Sequence, residues 1–160
     1  MTLASVTAVL AENQESHATA DDLTYAEADV VDVTLSGSTA AADGDGVKVD
    51  GATVTITAPG TYRLTGTLAG QVVVNTSAAG DVRVILDDAT ITSTTTSAIA
   101  VTAADEAVVI LAEGSTNALT DGSSYGDGED EANAALYSAA DLTIAGNGAL
   151  NVTGNTNDGI

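Results

Sequence analysis

The chain has 160 residues, the length of one domain, and sets 23 acidic residues against Lys48, Arg63 and Arg83 for a formal net charge of −20. That charge would repel nucleic acid and anionic membrane surfaces at long range, so neither is an expected partner, and divalent cations are. There is no Cys, Trp or Phe, which leaves no disulfide framework or thiol chemistry, and no apolar run is long enough to span a membrane.

Residues 1–29 are Ala, Glu, Asp, Ser and Thr without a clear period, and read as a flexible acidic tether. Met1–Leu10 lacks the basic residues of a signal n-region, so no signal peptide is expected within this chain. His17 is the single histidine, and alone it makes neither a zinc site nor a relay. Residues 30–160 read as one β domain. Within it, residues 30–70 carry short alternating runs (VVDVTLSG, GVKVDG, ATVTITAPG, TYRLTGTLAG) in which Val47, Val49, Val54, Ile56, Tyr62, Leu64 and Leu68 would form a first coil or an N-terminal β cap. A cap is needed because an open coil end exposes apolar interior and unpaired strand edges. Pro59 falls in a turn before Gly60, where its missing N–H costs nothing.

From Gln71 one pattern is written three times and begun a fourth, with starts at Gln71, Ala98, Ala134 and Gly159, spaced 27, 36 and 25 residues apart. The long spacing comes from one acidic insertion, Asp121 to Asn133. Each copy opens with an alternating apolar pair: Val72 and Val74, then Ile99 and Val101, then Ala135 and Tyr137. A second pair follows as Val82 and Val84, Val108 and Ile110, Leu142 and Ile144, with a looser third around Ile91, Leu119, Leu150 and Val152. Three period-two strands per copy, joined by Gly, Asn and Asp turns, suit an all-β fold in which equivalent strands lie on one another. The expected architecture is a single-stranded parallel β-helix with three short strands per coil. A β-sandwich is the alternative, since it also has short strands and polar turns at this spacing. The chain stops where the fourth copy has begun, so it reads as a truncated repeat with an open end able to associate with another copy.

The insertion brings Asp121, Asp127, Glu129, Asp130 and Glu131 into eleven residues, with Gly122, Gly126 and Gly128 keeping the backbone pliable. Calcium takes about six to eight oxygens from such flexible loops, so the donor types suit Ca2+ and suit magnesium less. The ligand order of an EF-hand is absent, and a solvated charged loop is the other reading. A second candidate is GNTNDG, with Asn155, Asn157 and Asp158, where Asn at a turn also serves as a stacked ladder. Asp87 and Asp88 form a weaker third.

The segments EGSTNALTDG at Glu113–Gly122, NAALYSAADLTIAGNGALNVTGN at Asn133–Asn155, NDGI at Asn157–Ile160 and GTYRLTGTL at Gly60–Leu68 resemble those of secreted bacterial carbohydrate-binding domain-containing proteins. The resemblance implies a calcium-containing, polysaccharide-binding, right-handed parallel β-helix, secreted or at the cell surface. It further implies a metal role for Asp158, and a non-catalytic protein whose partner is plant cell-wall or acidic glycan.

Catalytic chemistry finds few members. A uronate lyase needs a strong base, and Arg63 and Arg83 sit in apparent strands away from the insertion. A glycosidase needs two carboxylates at a fixed separation, and no Asp pair is singled out by spacing. The expected function is therefore a calcium-assisted polysaccharide-binding module, not an enzyme, with the metal at Asp121, Asp127, Glu129, Asp130, Glu131 and Asp158 and weaker sugar contacts at Tyr125, Asn155 and Asn157. The alternative is a structural segment that self-associates end to end into fibres. Ice or mineral binding, suggested by TITSTTTS at Thr90–Ser97, fails because the Thr array does not recur at a constant offset.

Overall fold

A computed structural model describes residues 19–125 and 132–160. The described chain is β-strand joined by turns, with one 3-10 turn at Glu27–Asp29. In chain order the strands are β1 (Val30–Gly37), β2 (Ala40–Ala42), β3 (Val47–Asp50), β4 (Thr53–Ile56), β5 (Gly60–Leu68), β6 (Gln71–Asn75), β7 (Asp81–Thr92), β8 (Ile99–Ala103), β9 (Glu106–Leu111), β10 (Thr116–Thr120), β11 (Leu136–Ser138), β12 (Asp141–Gly146) and β13 (Ala149–Thr153). Val, Ile and Thr dominate them, as suits a pleated, half-buried surface.

The strands form two mixed sheets. One runs in the order β12-β9-β7-β5-β1-β2, with β10 and β13 branching from the second half of β7, and the other runs β11-β8-β6-β4-β3. Only β1–β2 and β3–β4 pair antiparallel; every other pairing among the described residues is parallel. An antiparallel sandwich has no such ladders. β2 and β3 lie at the sheet margins next to the first parallel strands, where they cover what would be bare edges.

Alternation fixes the interior. Val54 and Ile56, Val72 and Val74, Ile99 and Val101 point inward from one sheet, and Leu64, Val82, Val84, Leu86, Ile91 and Leu119 meet them from the other. Val47 is half-buried and Val49 is 37% exposed, so the margin strand β3 contributes less core than expected.

Two sequence registers are corrected by one residue. Ile99 is partnered by Leu136, not Ala135, so Tyr137 lies beside Ala100 on the outer face; the insertion hides this slip because it leaves the next start unmarked. Val82 and Val84 are partnered by Ala107 and Val109, while Val108 and Ile110 align with Arg83 and Ile85 and face outward. Because the side-chain period is two, a one-residue slip exchanges the faces. It went unseen in AVVIL because both faces of β9 are apolar, and both are buried.

The outer face of β9 is buried by the N-terminal segment. Ile85, Val108 and Ile110 form a small cluster outside the sheet, packed under Tyr25, Val30 and Ala112. The segment is pinned by both arginines: Arg83 Nε donates to the Asp22 carbonyl at 3.1 Å and Nη2 to the Asp21 carbonyl at 3.3 Å, while Arg63 pairs with Glu27. The later part of the expected tether thus lies across the sheet; residues 1–18, His17 among them, lie outside the described residues.

Candidate functional site

The acidic insertion begins after β10 and ends before β11. Its two feet are held by one short segment, Asn155–Asp158, which follows β13. Parallel pairing of β10 with β13, Thr120 beside Thr153, sets that segment alongside the first foot.

At this foot Asp121 is almost wholly buried, at 1% exposure. Its Oδ1 accepts the Asn155 backbone N–H at 2.5 Å, its carbonyl accepts Asn155 Nδ2 at 2.9 Å, and its Oδ2 accepts the Tyr125 hydroxyl at 2.8 Å. Next to it, Thr156 Oγ1 donates to the Gly122 carbonyl at 2.6 Å, and the Gly122 N–H donates to the Thr96 carbonyl at 3.0 Å. The backbones pass so closely that a Cβ on Gly122 would stand 2.6 Å from Thr95 N, which explains the glycine on packing grounds. At the second foot, Asp158 N–H donates to the Asn133 carbonyl at 3.3 Å, and the Asp158 carbonyl accepts Ala135 N–H at 3.2 Å.

A buried carboxylate is stable here because donors meet both of its oxygens. The Tyr125 phenol is pushed up to about 12, first by burial and then by its bond to the Asp121 carboxylate, with Ser97 acting in the opposite sense. Ser97 is wholly buried, and its hydroxyl makes no well-formed hydrogen bond.

The site residues expected from sequence therefore divide. Asp121, Tyr125 and Asn155 are joined by hydrogen bonds, although the sequence placed Asp121 and Tyr125 in the insertion and Asn155 in a separate turn. Asp158 joins the second foot through its backbone, leaving its exposed side chain beside a cavity of about 230 Å³ lined by Asn133, Tyr137, Leu142 and Ile160 among others. Asn157 is exposed. Asp127, Glu129, Asp130 and Glu131 lie outside the described residues, and among the described residues no three His, Cys, Asp or Glu side chains gather closely enough to hold a metal. Asp121 already receives two donors on its carboxylate, so the described residues do not by themselves make a calcium site.

Asp87 and Asp88 lie within β7, at the register irregularity against β5, rather than in a cluster. Asp88 adopts a left-handed backbone, φ 55°, and its Oδ1 caps the Thr116 N–H at 2.8 Å. Beside it is a residue whose part in the interior the strand pattern did not reveal. Asn117, fully buried, accepts the Ala89 N–H at 2.9 Å and donates to Ser115 Oγ at 2.8 Å and the Ala149 carbonyl at 3.2 Å. It thereby ties three neighbouring ladder strands together. Its only sequence signal was the Asn within EGSTNALTDG.

Residues 50–160 match the family profile described as "Carbohydrate-binding domain-containing protein". A relative with the same description, from Acetivibrio thermocellus, is 39% identical over 120 residues, covering 72% of this chain and 42% of its own length. Among solved structures, the gadolinium derivative of a polysaccharide lyase-like protein from C. thermocellum is similar at 36% identity and a TM-score of 0.77, over 81% of this chain and 54% of that one. The chain spans less than two thirds of either relative. On the match over residues 50–160, it belongs to the carbohydrate-binding domain-containing protein family.

Proposed function

We propose that this chain is a non-catalytic, extracellular polysaccharide-binding segment whose strands wind as a right-handed parallel β-helix, and whose acidic insertion takes calcium. The observation that carries the reading is the family match over residues 50–160. The parallel ladders support the winding. The insertion's support is the double clamp: Asn155–Asp158 grips both feet. Asp127, Glu129, Asp130 and Glu131 would supply most of the metal's oxygens, with Asp121 anchoring the foot and Asp158 contributing from the second. Calcium there would neutralise carboxylates and bridge them to acidic sugar, which a chain of net charge −20 otherwise repels.

Co-sedimentation with insoluble cellulose and with calcium pectate, in millimolar calcium and in chelator, tests the proposal. Saturable binding that the chelator abolishes supports it; failure to sediment with either glycan in calcium refutes it.

A second reading has its own observation. β12 is terminal in its sheet, and Ile144 on it is 37% exposed. Such an edge can pair with another copy, giving end-to-end fibres. Sedimentation that rises with protein concentration in the absence of glycan would favour this reading.

A further inference from the structure

The chain has two arginines, and both project from the same outer face of the larger sheet. Parallel register places Arg63 beside Ile85, and Arg83 beside Val108. Between and beyond them lie Ile85, Val108 and Ile110, at 1%, 0% and 6% exposure. Outward residues of a sheet need not be apolar, and these three are packed under Tyr25 and Val30, with Ala112 beside them. Each arginine also keeps a carboxylate from the sheet itself: Asp32 stands 3.3 Å from Arg63, and Asp81 3.0 Å from Arg83.

The groups that the N-terminal strap sets on this face have a definite chemistry. Tyr25 lays a six-membered ring on the aliphatic cluster. Glu27 gives a carboxylate to Arg63, and the Asp21 and Asp22 carbonyls give neutral oxygens to Arg83. A six-membered ring with an apolar face, flanked by one carboxylate and by neutral oxygen acceptors, is also a description of a stretch of uronate-containing sugar chain. Arginine–aspartate pairs are suited to such a ligand, because the fork donates to carboxylate or hydroxyl oxygens while the aspartate accepts from hydroxyls.

We propose that the outer face bearing Arg63, Arg83, Ile85, Val108 and Ile110 is a binding face for uronate-containing polysaccharide, and that residues 21–29 occupy it as an internal stand-in that the glycan must displace. The inference rests on the polysaccharide-binding reading and adds to it a second location and a self-blocking device. The outward groups of the strap are accessible: Leu23 is 41% exposed, and the Glu27 side chain that pairs with Arg63 is 68% exposed. An ion pair with an exposed partner contributes little, so a ligand that also replaces the Tyr25 and Arg83 contacts can displace the strap. Where the competent state is only a fraction of the population, the apparent dissociation constant rises by the inverse of that fraction.

The test measures polygalacturonate affinity in millimolar calcium for four proteins and one control. These are the wild type, Glu27→Gln, the doubly changed Tyr25→Ala/Glu27→Gln, and that double variant with Arg63→Ala added. Glu113→Gln serves as control, removing the same charge from an exposed turn outside the strap. Circular dichroism and amide exchange confirm that the sheets are intact while residues 19–29 lose protection. For a strap closed about nine-tenths of the time, the double variant binds about tenfold more tightly than wild type, Glu27→Gln falls between, and Arg63→Ala abolishes the gain. Equal affinity in the wild type and both strap variants, or an equal gain from Glu113→Gln, overturns the strap proposal and leaves polysaccharide binding standing. No binding by any of the proteins overturns both.

Discussion

Asp121 and Asn155, 34 residues apart, are joined twice: the Asp121 carboxylate accepts the Asn155 backbone N–H, and the Asp121 carbonyl accepts the Asn155 side-chain amide. Two stretches that look independent in the sequence, the start of the acidic insertion and the Asn-rich turn after β13, are in this way one structure. Asp121→Ala removes a buried charged acceptor and strands its donors. The expected loss is about 2 to 3 kcal/mol, read as a fall in thermal midpoint of roughly 4 to 10 °C. Asn155→Ala keeps the backbone bond and should cost less than half as much.

Tyr125 supplies a pH dependence. Its folded pKa of about 12 lies above the roughly 10 of a free phenol, so the folded state favours the protonated form. The resulting stabilisation is whole below about pH 10 and is lost as the pH rises from there through the folded value. Urea midpoints measured from pH 8 upward should therefore fall in the alkaline range, and Tyr125→Phe should flatten that fall. Part of the fall will remain, because burial also raises Tyr62.

Asn117 is the most consequential polar group of the interior. Replacing it with Ala leaves the Ala89 N–H and the Ala149 carbonyl without their side-chain partner, an expected cost of about 3 kcal/mol. Asn117→Asp keeps the acceptor for Ala89 but loses both donated bonds and sets a carboxylate against a carbonyl. Its destabilisation should exceed that of the Ala variant at neutral pH and shrink on acidification, as equilibrium unfolding would show.

Calcium should raise the thermal midpoint, because a ligand that binds only the folded chain stabilises it by mass action. Affinities of extracellular calcium sites are about 0.1 to 1 mM, so the titration must extend into millimolar metal. In a variant carrying Asp127→Asn, Asp130→Asn and Glu131→Gln the rise should vanish. An undiminished rise there would place the metal elsewhere.

The sequence was most legible where one strand face was apolar and the other polar. β4, β6 and β8 could be aligned from Val54, Val72 and Ile99 because the Thr, Gln and Asn between or beside them marked the outer side. It was least legible in β9, where Val108 and Ile110 are apolar for a different reason, being covered by Tyr25 rather than by the core. At β11 the insertion removed the spacing that would have distinguished Leu136 from Ala135. The Asp121–Asn155 link left no trace, since a side-chain bond between distant turns has no periodicity, and a single carboxylate reads alike whether it anchors a loop or binds a metal. The packing of residues 21–29 was hidden by their composition, which is that of a solvated segment apart from Tyr25 and Leu23.

Carbohydrate recognition is tested most directly by titration calorimetry of polygalacturonate into the intact chain in millimolar calcium. Saturable heat of binding that disappears on chelation is the predicted result. A flat titration with calcium present, from protein shown to be folded in the same buffer, would contradict it.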